Sequence, residues 1–209
     1  MTDGGLPTDP QDLAVGAPGE NVGATVDAGA VSVLESAADG SGLSAGAVQE
    51  RFYQGNNGVP GASESGDRFG AALVAGNFGA GALDLVVGAP GEDVGTAADA
   101  GAVNSFCGFD GFLTSCSPAL LFQGNPEAGD RFGAALTPGN FDGNEFPDLA
   151  VGAPGETVAG RAAAGAADAR DGETGGLPAD PDAPLYFQGS AGVPGTAEAG
   201  DGFAAALSA

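Results

Sequence analysis

The chain has 209 residues, with 28 acidic side chains against five basic ones and a formal charge of −23. That balance excludes a protein that grips a phosphate backbone, which needs clustered cations, and the absence of His removes an imidazole base or metal ligand. Forty Gly and 14 Pro approach a low-complexity composition, but 43% hydrophobic residues, 12 of them Phe, supply apolar surface to bury, so the order of residues decides whether the chain folds.

The order is repetitive. Val15-Gly16-Ala17-Pro18-Gly19-Glu20 recurs unchanged at Val87–Glu92 and Val151–Glu156, at separations of 72 and 64 residues. Gly29-Ala30-Val31, Gly101-Ala102-Val103 and the weaker Gly165-Ala166-Ala167 each follow 14 residues after the Val. Then come Tyr53-Gln54-Gly55, Phe122-Gln123-Gly124 and Phe187-Gln188-Gly189. The last landmark, Gly66-Asp67-Arg68-Phe69-Gly70-Ala71-Ala72-Leu73, is repeated at 129–136 and altered at 200–207. Such a period belongs to an architecture whose units cover one another's apolar faces.

Within one period Phe69–Ala75, Leu85–Gly88, Ala102–Phe106 and Leu120–Phe122 are short apolar runs bounded by Gly, Pro, Asn or Asp, which predicts four strands. Gly interrupts every helical pattern, at about 1 kcal/mol each, so the expected class is all-β. Small residues in the strands fit sheets that converge closely, with the Phe of each Phe-Gly pair packing between them.

Asp-Arg-Phe-Gly followed by Asp-Leu-Val-Val-Gly-Ala-Pro resembles the FG-GAP repeat, found in integrin α chains and many bacterial extracellular proteins. The resemblance implies β-propeller blades of four antiparallel strands in an incomplete ring. It divides the chain into a partial blade at 1–65 lacking its first strand, blades at 66–128 and 129–199, and the first strand of a further or closing blade at 200–209. Three blades are too few for a closed ring, since propellers have about four to eight. The remaining blades, or a second chain joined head to tail, are therefore expected to complete it.

The same resemblance implies a calcium loop with oxygen ligands on alternate residues. The match is Asn140, Asp142, Asn144, the Phe146 carbonyl and Asp148. Glu145 stands where the family has Gly, and two amides replace carboxylates, so at most one weak Ca²⁺ site is expected; a solvated Asx-rich turn is the other reading of these residues. The shorter stretch 77–84 keeps only its end residues, and Asp12 is the only counterpart near the start. Cys107 and Cys116 flank a loop and are read either as a disulfide, favoured because the family is mostly extracellular, or as free thiols.

Glu20, Glu92 and Glu156 are expected to edge a solvated or ligand-facing loop surface, because equivalent carboxylates on separate blades do not flank one scissile bond. Arg68 and Arg131, beside Asp67 and Asp130, are expected to pair locally or across blades, with a merely exposed ion pair as the other reading. No nucleophile with a base, phosphate loop or cofactor motif is present. The expected function is a non-catalytic extracellular or cell-surface module for adhesion or for binding a protein or glycan, without nucleic acid or membrane insertion. The alternatives are an accessory propeller of a secreted hydrolase or lipase, and a structural surface-layer repeat.

Overall fold

The computed structural model describes residues 12–37, 39–43, 50–79, 83–107, 119–179, 183–190 and 192–209. Its regular structure is all-β, in three antiparallel sheets. The first contains β1 (Leu13–Ala17), β2 (Ala30–Leu34) and β3 (Glu50–Phe52), in that order. The second contains β4 (Ala72–Gly76), β5 (Asp84–Ala89), β6 (Ala102–Phe106) and β7 (Ala119–Leu121). The third repeats it with β8 (Ala135–Gly139), β9 (Asp148–Ala153), β10 (Ala166–Arg170) and β11 (Leu185–Tyr186). Sequential strands pair throughout, as in propeller blades. Among the described residues no helix is long and apolar enough to cross a membrane.

β6 coincides with the Gly-bounded run that predicts it, but β4 begins at Ala72 rather than Phe69. The cause lies in the backbone bonds of the Phe-Gly pair. Phe69 N–H donates to Ala28 O of the preceding sheet at 3.0 Å, and Gly70 N–H donates to Gly88 O at 2.9 Å. Gly70 has φ 90°, a left-handed conformation open to Gly at little cost. These residues cross between sheets before the chain enters its own ladder. In the next copy Phe132 N–H donates to Ala100 O at 2.9 Å, and Gly29↔Phe69 and Gly101↔Phe132 form isolated parallel bridges.

The crossing brings two backbones together. A Cβ on Gly88, the Gly of Val-Gly-Ala-Pro, would run into the Gly133 carbonyl of the following sheet. Gly16 stands in the same relation to Gly70, and Gly152 to Ala204. Ala204 occupies the glycine seat with φ 65°, a strained conformation for a residue with a Cβ. Residues 200–209 form turns, with Phe203 N–H donating to Ala164 O at 2.9 Å as Phe69 and Phe132 do to their equivalents.

Two apolar cores fill the spaces between sheets. Val31, Phe52 and Val59 of the first sheet meet Leu85, Val87 and Phe106 of the second, with Phe69 wedged among them and edge-on to Phe106 at 6.5 Å. Phe78, Val86, Val103 and Leu121 meet Phe132, Leu149 and Val151 in the other. β5 is buried along its whole length because alternate side chains serve different cores. The third sheet departs at one position. Arg170 pairs with Leu149, as Phe106 pairs with Leu85, so a guanidinium occupies an apolar seat. It is ion-paired with Asp168 at 3.1 Å, its Nη2 donates to the Phe122 carbonyl at 2.9 Å, and it lies 5.4 Å from the centre of the Phe132 ring.

Gly88→Ala is expected to lower stability by about 1–3 kcal/mol or more, because the neighbouring backbone must shift. Gly95→Ala, at φ 65° with open space around it, should cost about 1 kcal/mol from strain alone. Denaturant unfolding of the two variants reads the difference.

Candidate metal loop and the repeated carboxylates

The loop joining β8 to β9 is organised by its own side chains. Asn140 Oδ1 accepts the Gly143 N–H at 2.7 Å, Asp142 Oδ1 the Asn144 N–H at 2.8 Å, and Asn144 Oδ1 the Phe146 N–H at 2.6 Å. These are the Asx turns that the spacing of Asn and Asp permits. Asn140 and Asn144 thus turn their amide oxygens toward backbone donors. Phe146, proposed through its carbonyl, is half-buried, and Phe141 is exposed.

Asp148, fully buried at the start of β9, is the centre of the loop. Its Oδ2 accepts the Phe141 N–H at 2.5 Å and the Asp142 N–H at 3.2 Å, while Oδ1 accepts the Gly172 N–H at 2.9 Å. The equivalent acids do related work. Asp84 Oδ2 accepts the Phe78 N–H at 2.9 Å, and Asp12 Oδ1 accepts the Ser36 N–H at 2.8 Å. The acid at this position is therefore a backbone acceptor in all three sheets, and for the buried N–H groups bonded to Asp84 and Asp148 it prevents an unsatisfied donor. The shorter loop of the second sheet is described only in part, residues 80–82 lying outside the described set; there Phe78 is buried in the core.

The carboxylates of Asp142, Asp148 and Asp171 offer oxygen atoms that all lie within 4.8 Å of one another. Three hard anionic donors in that compass suit a divalent cation such as Ca²⁺, and this acidic cluster can hold a metal ion. Asp142 and Asp148 are members of the ligand set expected from the sequence; Asp171 is an addition. Its signal was in the pairing of strands. Arg170 lies opposite Leu149, so the next residue after β10 falls beside Asp148. Beside the cluster is a shallow surface hollow between residues 143–146 and 172–174.

The repeated glutamates do not share one environment. Glu20 is exposed and pairs with Arg51 at 2.8 Å. Glu92 is only 6% exposed, so the expectation of a solvated loop edge fails there. Its Oε2 accepts Gln54 Nε2–H at 2.6 Å, across from the first sheet to the second. Glu156 is half-buried, and its Oε2 accepts Gln123 Nε2–H at 3.1 Å, from the second sheet to the third. Burial lifts both carboxyls to about 7, against the opposing effect of the Gln hydrogen bonds. Asp67 is likewise raised by burial, to about 6, and Asp130 is raised for the same reason. Neither forms the local arginine pair expected. Asp67 accepts the Glu64 N–H at 2.5 Å and Asp130 the Glu127 N–H at 2.6 Å, while Arg68 and Arg131 point to solvent at φ 57° and 59°.

Cys107 directly follows β6 and occupies the position of Asp171 in the third sheet; Cys116 lies outside the described residues.

Residues 132–168, from the Phe-Gly pair through the loop and Val-Gly-Ala-Pro strand into β10, match the family model of the FG-GAP repeat. The chain carries an FG-GAP repeat. The matched stretch contains the backbone crossing and the Asp142–Asp148 loop, and the second sheet presents the same landmarks in the same geometry. Among curated proteins none matches the chain.

Asp148→Ala should destabilise the FG-GAP sheet even in chelator, by roughly 2–3 kcal/mol, because it strands backbone donors. Thermal unfolding with excess EDTA measures this cost apart from any metal.

Proposed function

We propose that the protein is a non-catalytic recognition module of the β-propeller type, working at the cell surface or outside the cell and binding a protein or glycan. The observation that carries this reading is the FG-GAP match over residues 132–168 on a sheet seated beside two others built from the same landmarks. Repeats of this kind are scaffolds, and function on such scaffolds lies in loops at the sheet ends. The chain's charge of −23 favours a partner that is basic or bridged by a cation.

In this proposal Asp142, Asp148 and Asp171 hold a Ca²⁺ ion that stiffens the β8–β9 loop, with Asn140, Asn144 and the Phe146 carbonyl turning toward it on binding. Cys107 and Cys116 form a disulfide suited to an oxidising compartment. The remaining blades, on this chain or on a second one, complete the ring.

Calcium titration by calorimetry should show one weak site, and Ca²⁺ should raise the unfolding temperature. Asp171→Asn should remove most of that rise; no heat beyond dilution would eliminate the metal role. A screen of immobilised glycans and matrix proteins with and without EDTA should show chelator-sensitive binding, and turnover of a glycoside or ester substrate would overturn the non-catalytic reading. Thiol labelling under denaturing conditions without reductant should leave both cysteines unmodified.

A further inference from the structure

The link between neighbouring sheets is made twice with the same chemistry. Gln54, 2% exposed, and Gln123, 3% exposed, each donate one amide N–H to a glutamate of the following sheet. In both, the other polar atom, Oε1, is buried and has no hydrogen-bond partner. A buried carbonyl oxygen left without a donor is costly, and it recurs at the third equivalent position, Gln188, as well. Besides the Gln amides, the charged groups that act on Glu92 are Asp67, Glu64 and Asp93, and those on Glu156 are Asp130 and Glu127; all of these are acidic. Among the described residues, each junction therefore contains a desolvated carboxyl without a compensating cation and an amide oxygen without a donor.

A single proton answers both needs. A carboxylic acid facing a carboxamide forms a ring of two hydrogen bonds: the amide N–H donates to one carboxyl oxygen, and the acid O–H donates to the amide oxygen. The first of these bonds is present in each pair. We propose that each sheet-to-sheet junction is closed by a neutral acid–amide pair, Glu92 with Gln54 and Glu156 with Gln123, and that the shared proton is a structural component of the fold. Glu20, exposed beside Arg51, is the internal contrast. The raised carboxyl values of about 7 at Glu92 and Glu156 agree with the geometry.

The sign follows from proton counting. The folded state binds these protons up to about pH 7, whereas the unfolded glutamates release them near 4.5. Their contribution is complete below the unfolded value and is lost as pH rises through about 7. Asp67 and Asp130 act in the same direction.

The test measures unfolding temperature from about pH 5 to about pH 8 in molar salt, which screens the general repulsion of the acidic surface. The wild type should lose stability across this range. Glu92→Gln combined with Glu156→Gln keeps the shape and supplies a permanent N–H to each amide oxygen. It should unfold at a higher temperature than the wild type near pH 8 and lose most of the pH dependence. Glu20→Gln, with one charge removed at the exposed copy, should retain the wild-type slope. Infrared difference spectra of the wild type should show a protonated-carboxyl C=O band that disappears with a midpoint near 7, and this measurement stands even where the double variant fails to fold. A double variant with the wild-type slope, or a wild type without that band, would overturn the proposal.

Discussion

The fold depends on how closely two stretches of backbone approach each other. The carbonyl of the Phe-Gly turn in one sheet lies where the Val-Gly-Ala-Pro glycine of the preceding sheet would carry its Cβ. Phe69 and Phe132, the residues just before that turn, are then driven fully into the cores between sheets. Glu92 and Glu156, each following a Pro-Gly, are brought within reach of the Gln ending the previous sheet. Phe-Gly and Gly-Ala-Pro, far apart in the chain, are thus the two halves of one contact, which explains why they recur together.

The acid before each Gly-Ala-Pro strand has a role of its own. Asp12, Asp84 and Asp148 each stand before or at the start of the strand carrying Gly-Ala-Pro, and each accepts a backbone N–H. That task is independent of metal and accounts for an acid at this position even where the remaining ligands are missing. Among the described residues, the third sheet alone adds two further carboxylates, Asp142 and Asp171, to it. A metal there would act on a loop already held together by Asx turns.

Much of this was legible in the chain because the repeats mark equivalent positions. The all-β class, the four-strand unit and the placing of the Phe residues between sheets follow from the Gly-bounded runs and their recurrence. Three features were not legible, and each depends on pairing between strands or between sheets. Asp171 enters the acidic cluster through the β9–β10 register. Glu92 is buried because Gln54 of another sheet covers it, whereas the identical hexapeptide leaves Glu20 in solvent. Arg170 occupies a seat that Phe106 fills in the second sheet, and its tolerance there comes from Asp168 and a carbonyl of the neighbouring sheet. A repeated motif specifies a residue's place within its own unit, and the neighbour decides what that place is like.

The double burial of β5 ties the central sheet to both cores at once. Val86 and Val87, adjacent in the chain, anchor different cores, so an outer sheet can detach while the central strand keeps its cover on the opposite face. Burial on both faces places the amides of β5 among those expected to exchange slowest with solvent deuterium, as reporters of global rather than local opening.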